Sequence, residues 1–196
     1  MLGKQAKVLT PGGIRRLLSV AGRGRLPDRD RVIVLLAMRA GMRACEIANL
    51  TWAMVLDANG RLAPMIEVRG SIAKRGSGRR VPMHPQLARA LEVLRDRLDP
   101  EHACPEAIVI RSLKGGAMRP NSIVNWFVAN CRQAGLHGCS SHSGRRTFIT
   151  KAARAAHRAG ASLRDVQMLA GHRSIETTQG YIDGDTIAQR RLVSLI

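Results

Sequence analysis

The chain has no apolar run near the roughly 18 residues that a spanning helix needs, and no apolar signal-like core follows Met1. It therefore reads as cytoplasmic, with no membrane partner. Cysteine is scarce: Cys45, Cys104, Cys131 and Cys139 form no CxxC pair, which argues against a disulfide framework. The nearest thing to a metal cluster, Cys131, His137, Cys139 and His142, follows no zinc spacing, so no metal ligand is assigned. A GxxxxGK[ST] phosphate loop and an acidic cluster for paired metal ions are also missing, and no cofactor is assigned. Acidic residues as a class are few, 14 Asp plus Glu against 32 Lys plus Arg, for a formal charge of +18. That excess exceeds what solubility requires and points to a polyanion, nucleic acid before any other.

What is present suits one folded unit. At 196 residues with 45% hydrophobic content, the length matches a single domain with a real core. The basic residues are interleaved with apolar ones, as on a folded surface and unlike a disordered tail. Thr10 then Pro11 mark a helix start, with Ile14, Leu17 and Leu18 as its apolar stripe. A second helix over residues 28–41 is apolar on nearly all sides and is expected in the core, and a short third helix covers 44–50. Ile66 and Val68 alternate with Met65, Glu67 and Arg69 as in a strand, and a turn with Gly76 and Gly78 leads into a second short run, 80–83. Helices follow over 85–98, stopped at Pro100, and from Pro120 to near Gly135; residues 108–110 suit a further short strand. From Ser141 three or four more helices are separated by Gly160, Gly171 and Gly184. The expected fold is mainly α with a small antiparallel β-hairpin, residues 1–9 forming a tail and 10–196 the domain.

Four blocks carry the chemistry. The first runs from Ala40 through Gly41, Met42, Arg43 and Glu46 to Trp52. The hairpin holds Lys74, with Arg75, Arg79 and Arg80 beside it. In the third block, Ser141-His142-Ser143-Gly144-Arg145-Arg146, His142 and Arg145 stand three apart and share a helix face, so both can reach one phosphate. The fourth is Leu169-Ala170-Gly171-His172-Arg173, followed by Thr177-Thr178-Gln179-Gly180-Tyr181, which includes the single tyrosine of the chain. Taken singly, each block has a plain reading: a capping arginine, a solvated lysine, a packing tyrosine.

Together and in this order they resemble the active-site signature of the tyrosine recombinases, the phage-integrase family, from about Thr10 to the end. The resemblance implies the DNA breaking-rejoining catalytic fold. It also implies Arg43, Lys74, His142, Arg145, His172 and Tyr181 as catalytic residues. Arg43 and Arg145 would clamp the scissile phosphate with His172 as a further donor, because guanidinium stays charged and its fork fits phosphate oxygens. His142 would serve acid and base work, Lys74 would protonate the departing 5′ oxygen with Arg75 as the competing choice, and Tyr181 would be the nucleophile. Glu46 would orient the clamp or a histidine, or form a surface ion pair. Arg75, Arg79, Arg80, Arg146 and Arg173 are expected DNA contacts. The family commonly has Leu in place of Gly144 and His in place of Arg146, and a glycine there weakens the helix by about 1 kcal/mol.

The implied function is site-specific recombination, integration, excision, inversion or resolution, through a 3′-phosphotyrosyl intermediate. The alternatives are type IB topoisomerase-like relaxation and a DNA-binding regulator that has lost catalysis. The implied partners are double-stranded DNA, further copies of the chain forming a tetramer on paired sites, and accessory DNA-bending or directionality factors; the setting is a bacterial nucleoid or a phage genome. The separate N-terminal domain common in the family is not expected within these 196 residues, so the resemblance is either to a naturally short recombinase or to a catalytic fragment of a longer integrase. The segment 186–195 would pack either on a neighbouring protomer or on its own domain.

Overall fold

A computed structural model describes residues 6–73, 76–181, 190, 193 and 194. Thr10 caps α1 (Pro11–Ala21): its Oγ1 accepts the Gly13 N–H at 3.1 Å, and Pro11 fills a first-turn position whose N–H would have no helical partner. Helix α2 (Pro27–Arg39) buries Val32 through Met38 without interruption, and packs against α1, α3 (Ala44–Ala48), α4 (Pro85–Asp96) and α7 (Ser141–Ala156). An all-round apolar surface demands such enclosure, so the expectation of a core helix is met. Leu87, Leu91 and Leu94 form the buried face of α4. A one-turn helix, α5 (Pro100–Ala103), begins where the sequence suggested only a stop. α6 (Pro120–Gln133) buries Ile123, Phe127 and Cys131 and packs against α1, α3 and α7.

The hairpin is as expected. β1 (Met65–Val68) pairs antiparallel with β2 (Arg79–Pro82), Ile66 opposite Val81 and both buried, Glu67 opposite the exposed Arg80. Residues 108–110 do not form a named strand: Ile108 makes an isolated bridge to Thr51, and Val109 N–H donates to Leu50 O at 2.8 Å. The tail boundary also moves. Leu9 is buried, its N–H donating to Thr147 Oγ1 at 2.8 Å, and Lys7 Nζ donates to His137 O at 2.9 Å. The fold thus holds residues assigned to a tail.

Two apolar clusters result. The larger joins α1, α2, α3, α4, α6 and the hairpin around Trp52, Phe127 and Leu36. The smaller holds Ile149, Val166 and Ala170, where α7 meets α8 (Leu163–Ala170), and α9 (Ile175–Gln179) packs in turn against α8. The segment 186–195 falls almost wholly outside the described residues.

Candidate active site

Two glycines in left-handed conformation turn the chain into the site. Gly41, φ +62°, follows α2 and delivers Arg43; Gly171, φ +63°, caps α8 and delivers His172. Side chains are barred at both places, since a Cβ on Gly41 would lie 2.3 Å from Phe148 and one on Gly171 2.9 Å from Arg79 Cδ. Arg145 ties these turns together: Nη1 donates to Gly41 O at 2.6 Å and Nη2 donates to Ala170 O. Carbonyls at the ends of helices carry partial negative charge, which suits a buried guanidinium.

Arg145 sits on α7, which starts at Ser141 after Ser140, whose N–H donates to Ser143 Oγ at 3.1 Å. Gly144 accounts for the close approach of α7 to α2, because a Cβ there would stand 2.8 Å from Ala37 Cβ. The loss in helix propensity accompanies a closer fit behind the site. A leucine at this position would force the two helices apart.

Glu46 is fully buried and joins two arginines. Arg43 donates to it through its backbone N–H at 2.8 Å and Nη1 at 3.0 Å, while Arg79 donates through Nη1 and Nη2, both at 2.9 Å. Burial alone would raise the Glu46 carboxyl, but the Arg79 fork and charge, with the Arg43 N–H, hold it at about 2. The surface ion-pair alternative for Glu46 is thereby replaced by a buried one. Arg79 is corrected too: its side chain is 3% exposed and its fork is taken up by Glu46, so it braces the site from within and is not an outward DNA contact. Arg79 Nε has no hydrogen-bond partner among the described residues.

Arg146 is likewise turned inward, buried and 5.8 Å from the Tyr181 ring centroid, where a cation faces the π system. Arg80 and Arg173 are exposed, Arg80 within 3.6 Å of Glu67. Lys74 and Arg75 lie outside the described residues. His172 is almost buried, its Nδ1 2.9 Å from Thr178 Oγ1 and its ring 5.2 Å from that of Tyr181. Gln167 fixes its backbone, accepting its N–H through the main-chain carbonyl at 3.1 Å and donating Nε2 to its carbonyl at 3.0 Å.

These placements bring Arg43, His142, Arg145, His172 and Tyr181 to the wall of one cavity of about 370 Å³. His142 is exposed there and Arg43 half-buried. The electrostatics suit an anion. Burial lowers Arg145 to about 10, with the neighbouring Arg43 and Arg79 charges adding to the effect, and burial followed by Arg145, Arg43 and Arg79 lowers His172 to about 4. At neutral pH His172 is therefore an uncharged donor or acceptor among cations. Among the described residues no group of three His, Cys, Asp or Glu could hold a metal ion, and no helix is long and apolar enough to cross a membrane.

Arg79 and Thr178 are the residues whose roles the sequence did not disclose. The Arg79–Glu46 link spans 33 positions and no local spacing signals it. Thr178 stood in view within the Thr-Thr pair, but only the folded geometry shows which ring it touches.

A family model described as the phage integrase family matches residues 7–186. The tyrosine recombinase XerC of Mesorhizobium japonicum is 31% identical over 186 residues, covering 92% of this chain and 56% of the relative. XerA of Pyrococcus furiosus is 30% identical over 177 residues, covering 89% and 56%. The chain thus spans little more than half the length of these relatives. Among solved structures, the XerA recombinase crystal structure aligns with a TM-score of 0.74 at 24% identity, over 98% of this chain and 65% of that one. The Tn1549 transposon integrase in complex with a circular intermediate DNA aligns with a TM-score of 0.76 at 19% identity, over 100% and 67%. The two alignments show the shared fold, and the family match across nearly the whole sequence places this chain in the phage integrase family.

Proposed function

We propose that the chain is the catalytic unit of a site-specific recombinase, cleaving and rejoining duplex DNA through a 3′-phosphotyrosyl intermediate. One observation carries this reading: two arginines, two histidines and the single tyrosine of the chain, far apart in sequence, line one cavity. In the reaction the Tyr181 oxygen bonds to phosphorus as its proton passes to His142, and the bond from phosphorus to the 5′ oxygen breaks. Lys74 supplies the proton that makes this leaving oxygen a hydroxyl. Arg43, Arg145 and His172 meet the charge that grows on the non-bridging oxygens. The phosphotyrosyl bond conserves the energy of the phosphodiester, so a 5′ hydroxyl from either duplex can reverse the step.

Duplex DNA is the partner in this reading, with Arg80 and Arg173, which line an adjoining cavity with His172, contacting its backbone. Copies of the chain assemble on paired sites, aided by DNA-bending or directionality factors, in a nucleoid or on phage DNA.

The test is covalent trapping. A duplex selected for binding from a randomised pool, nicked near the cleavage position so that the cut fragment diffuses away, yields a denaturation-resistant adduct with the unaltered chain. Tyr181→Phe removes the adduct and leaves binding largely intact. Tight binding with no adduct would instead make the protein a regulator, and relaxation of supercoiled plasmid by dilute monomer would make it a topoisomerase.

A further inference from the structure

We infer that Thr178 is a positioning residue that fixes His172 in the Nε2–H tautomer, making the imidazole an uncharged hydrogen-bond donor to the anion cavity. Thr178 is fully buried on α9, and its Oγ1 lies 2.9 Å from His172 Nδ1. No other hydrogen bond to that hydroxyl is found among the described residues, and this settles the direction. If Nδ1 carried the proton and Oγ1 accepted it, the hydroxyl proton would be buried without an acceptor, at a cost of roughly 1–3 kcal/mol. With the hydroxyl donating, both groups are satisfied. Nδ1 then holds the lone pair, and in a neutral ring the proton stays on Nε2.

The arrangement opposes the local field. Arg145, Arg43 and Arg79 all act on His172, and burial together with these charges lowers it to about 4, so the ring is neutral at pH 7. Cations nearby favour a lone pair turned towards them, which would put the proton on Nδ1 and leave His172 unable to donate to a phosphate oxygen. The Thr178 hydroxyl holds Nδ1 as acceptor and prevents this. The Gln167 bonds to both backbone groups of His172 keep the ring at the hydroxyl. The inference rests on the recombinase reading only for the identity of the anion that receives the Nε2 proton donor.

Two arms separate the tautomer from the activity. Nitrogen-15 NMR of the full chain at pH 7, with His172 assigned by the signal lost in His172→Asn, reads the tautomer with no DNA present. The unaltered chain and Thr178→Ser should show a protonated Nε2, and Thr178→Val, equal in shape but without the hydroxyl, should shift the ring towards Nδ1–H. Adduct formation on the nicked duplex should fall about tenfold in Thr178→Val and recover in Thr178→Ser. A protonated Nδ1 in the unaltered chain overturns the inference, as does a Thr178→Val spectrum or cleavage rate that matches the unaltered one. The expected tautomers with no adduct from any variant would support the assignment of Thr178 and overturn the recombinase reading. If Thr178→Val does not fold, the unaltered spectrum still decides.

Discussion

The two sides of the cavity are built to different depths. Arg43, Glu46 and Arg79 stand on α3 and the hairpin, which belong to the large cluster around Trp52, Phe127 and Leu36. His172 and Tyr181 stand on the α8–α9 side, whose own cluster among the described residues is Ile149, Val166 and Ala170, with Tyr181 only partly buried against it. Apolar burial stabilises in proportion to the area removed from water, so among the described residues the second side has less apolar burial to hold it. Arg145 spans the boundary through its bonds to Gly41 O and Ala170 O. The difference fits the proposed chemistry, in which the groups that bind charge need a fixed geometry, whereas a nucleophile that attacks and is later released gains from a segment that opens at low free-energy cost.

The comparison breaks most visibly at Glu46. Glu46→Gln keeps the shape and removes the charge that neutralises Arg79 and Arg43, leaving the buried Arg79 guanidinium without a counterion. Removing one member of a buried pair costs about 3–5 kcal/mol, and urea titration of the unaltered and altered chains should show a loss of that size. A loss below about 1 kcal/mol would mean that the deep side is not held by its carboxylate and that apolar packing alone accounts for it.

A smaller effect, seen in acid, sharpens the contrast from the other side. His172 has its folded value lowered from 6.5 to about 4, so between these limits the unfolded chain binds more protons than the folded one. Its contribution is therefore fully present above pH 6.5 and is lost as pH falls through about 4. Glu46 acts in a lower window, its stabilisation present above 4.5 and lost as pH falls towards 2. In His172→Asn the first window should vanish: the stability gap between unaltered and altered chains should narrow by up to about 3 kcal/mol between pH 7 and pH 4, with the lower window unchanged. A gap that stayed constant would mean that His172 titrates alike in both states and that the cations do not reach it.

The same contrast governs what could be read from the sequence. Helix α2, the β1–β2 pairing and the α6 face were legible because their periodicity is a local consequence of burial, and Gly41 and Gly171 could be found because a helix must end there. The ring of Arg43, His142, Arg145, His172 and Tyr181 was legible only through the resemblance of the four blocks, in their order, to the tyrosine recombinase signature. Arg79 and Arg146 were misplaced for one reason: an arginine in a basic sequence looks like a surface charge until a partner is known, and Glu46 and the Tyr181 ring are 33 and 35 positions away. The α2–α7 contact at Gly144 was equally hidden, since a glycine in a helix shows its cost locally and its benefit only against Ala37.

The smallest prediction tests the thin side directly. Ile149 and Ile33 are both completely buried, Ile149 in the small cluster and Ile33 in the large one. Shortening either to valine removes one methylene and costs about 0.5–1.5 kcal/mol by denaturant titration. The two losses should differ in where they appear. If α8 and α9 open as a unit without unfolding the rest, Ile149→Val lowers the free energy of that local opening, and amide exchange over residues 163–181 should quicken roughly two- to tenfold while the α2 amides change less. Ile33→Val should raise exchange in α2 through global unfolding and leave the already lower protection of 163–181 nearly unchanged. Equal acceleration everywhere in both variants would show that the protein opens only as a whole. In that case the nucleophile side would be as firmly held as the anion side, and release of Tyr181 would have to come from side-chain rotation within a closed structure.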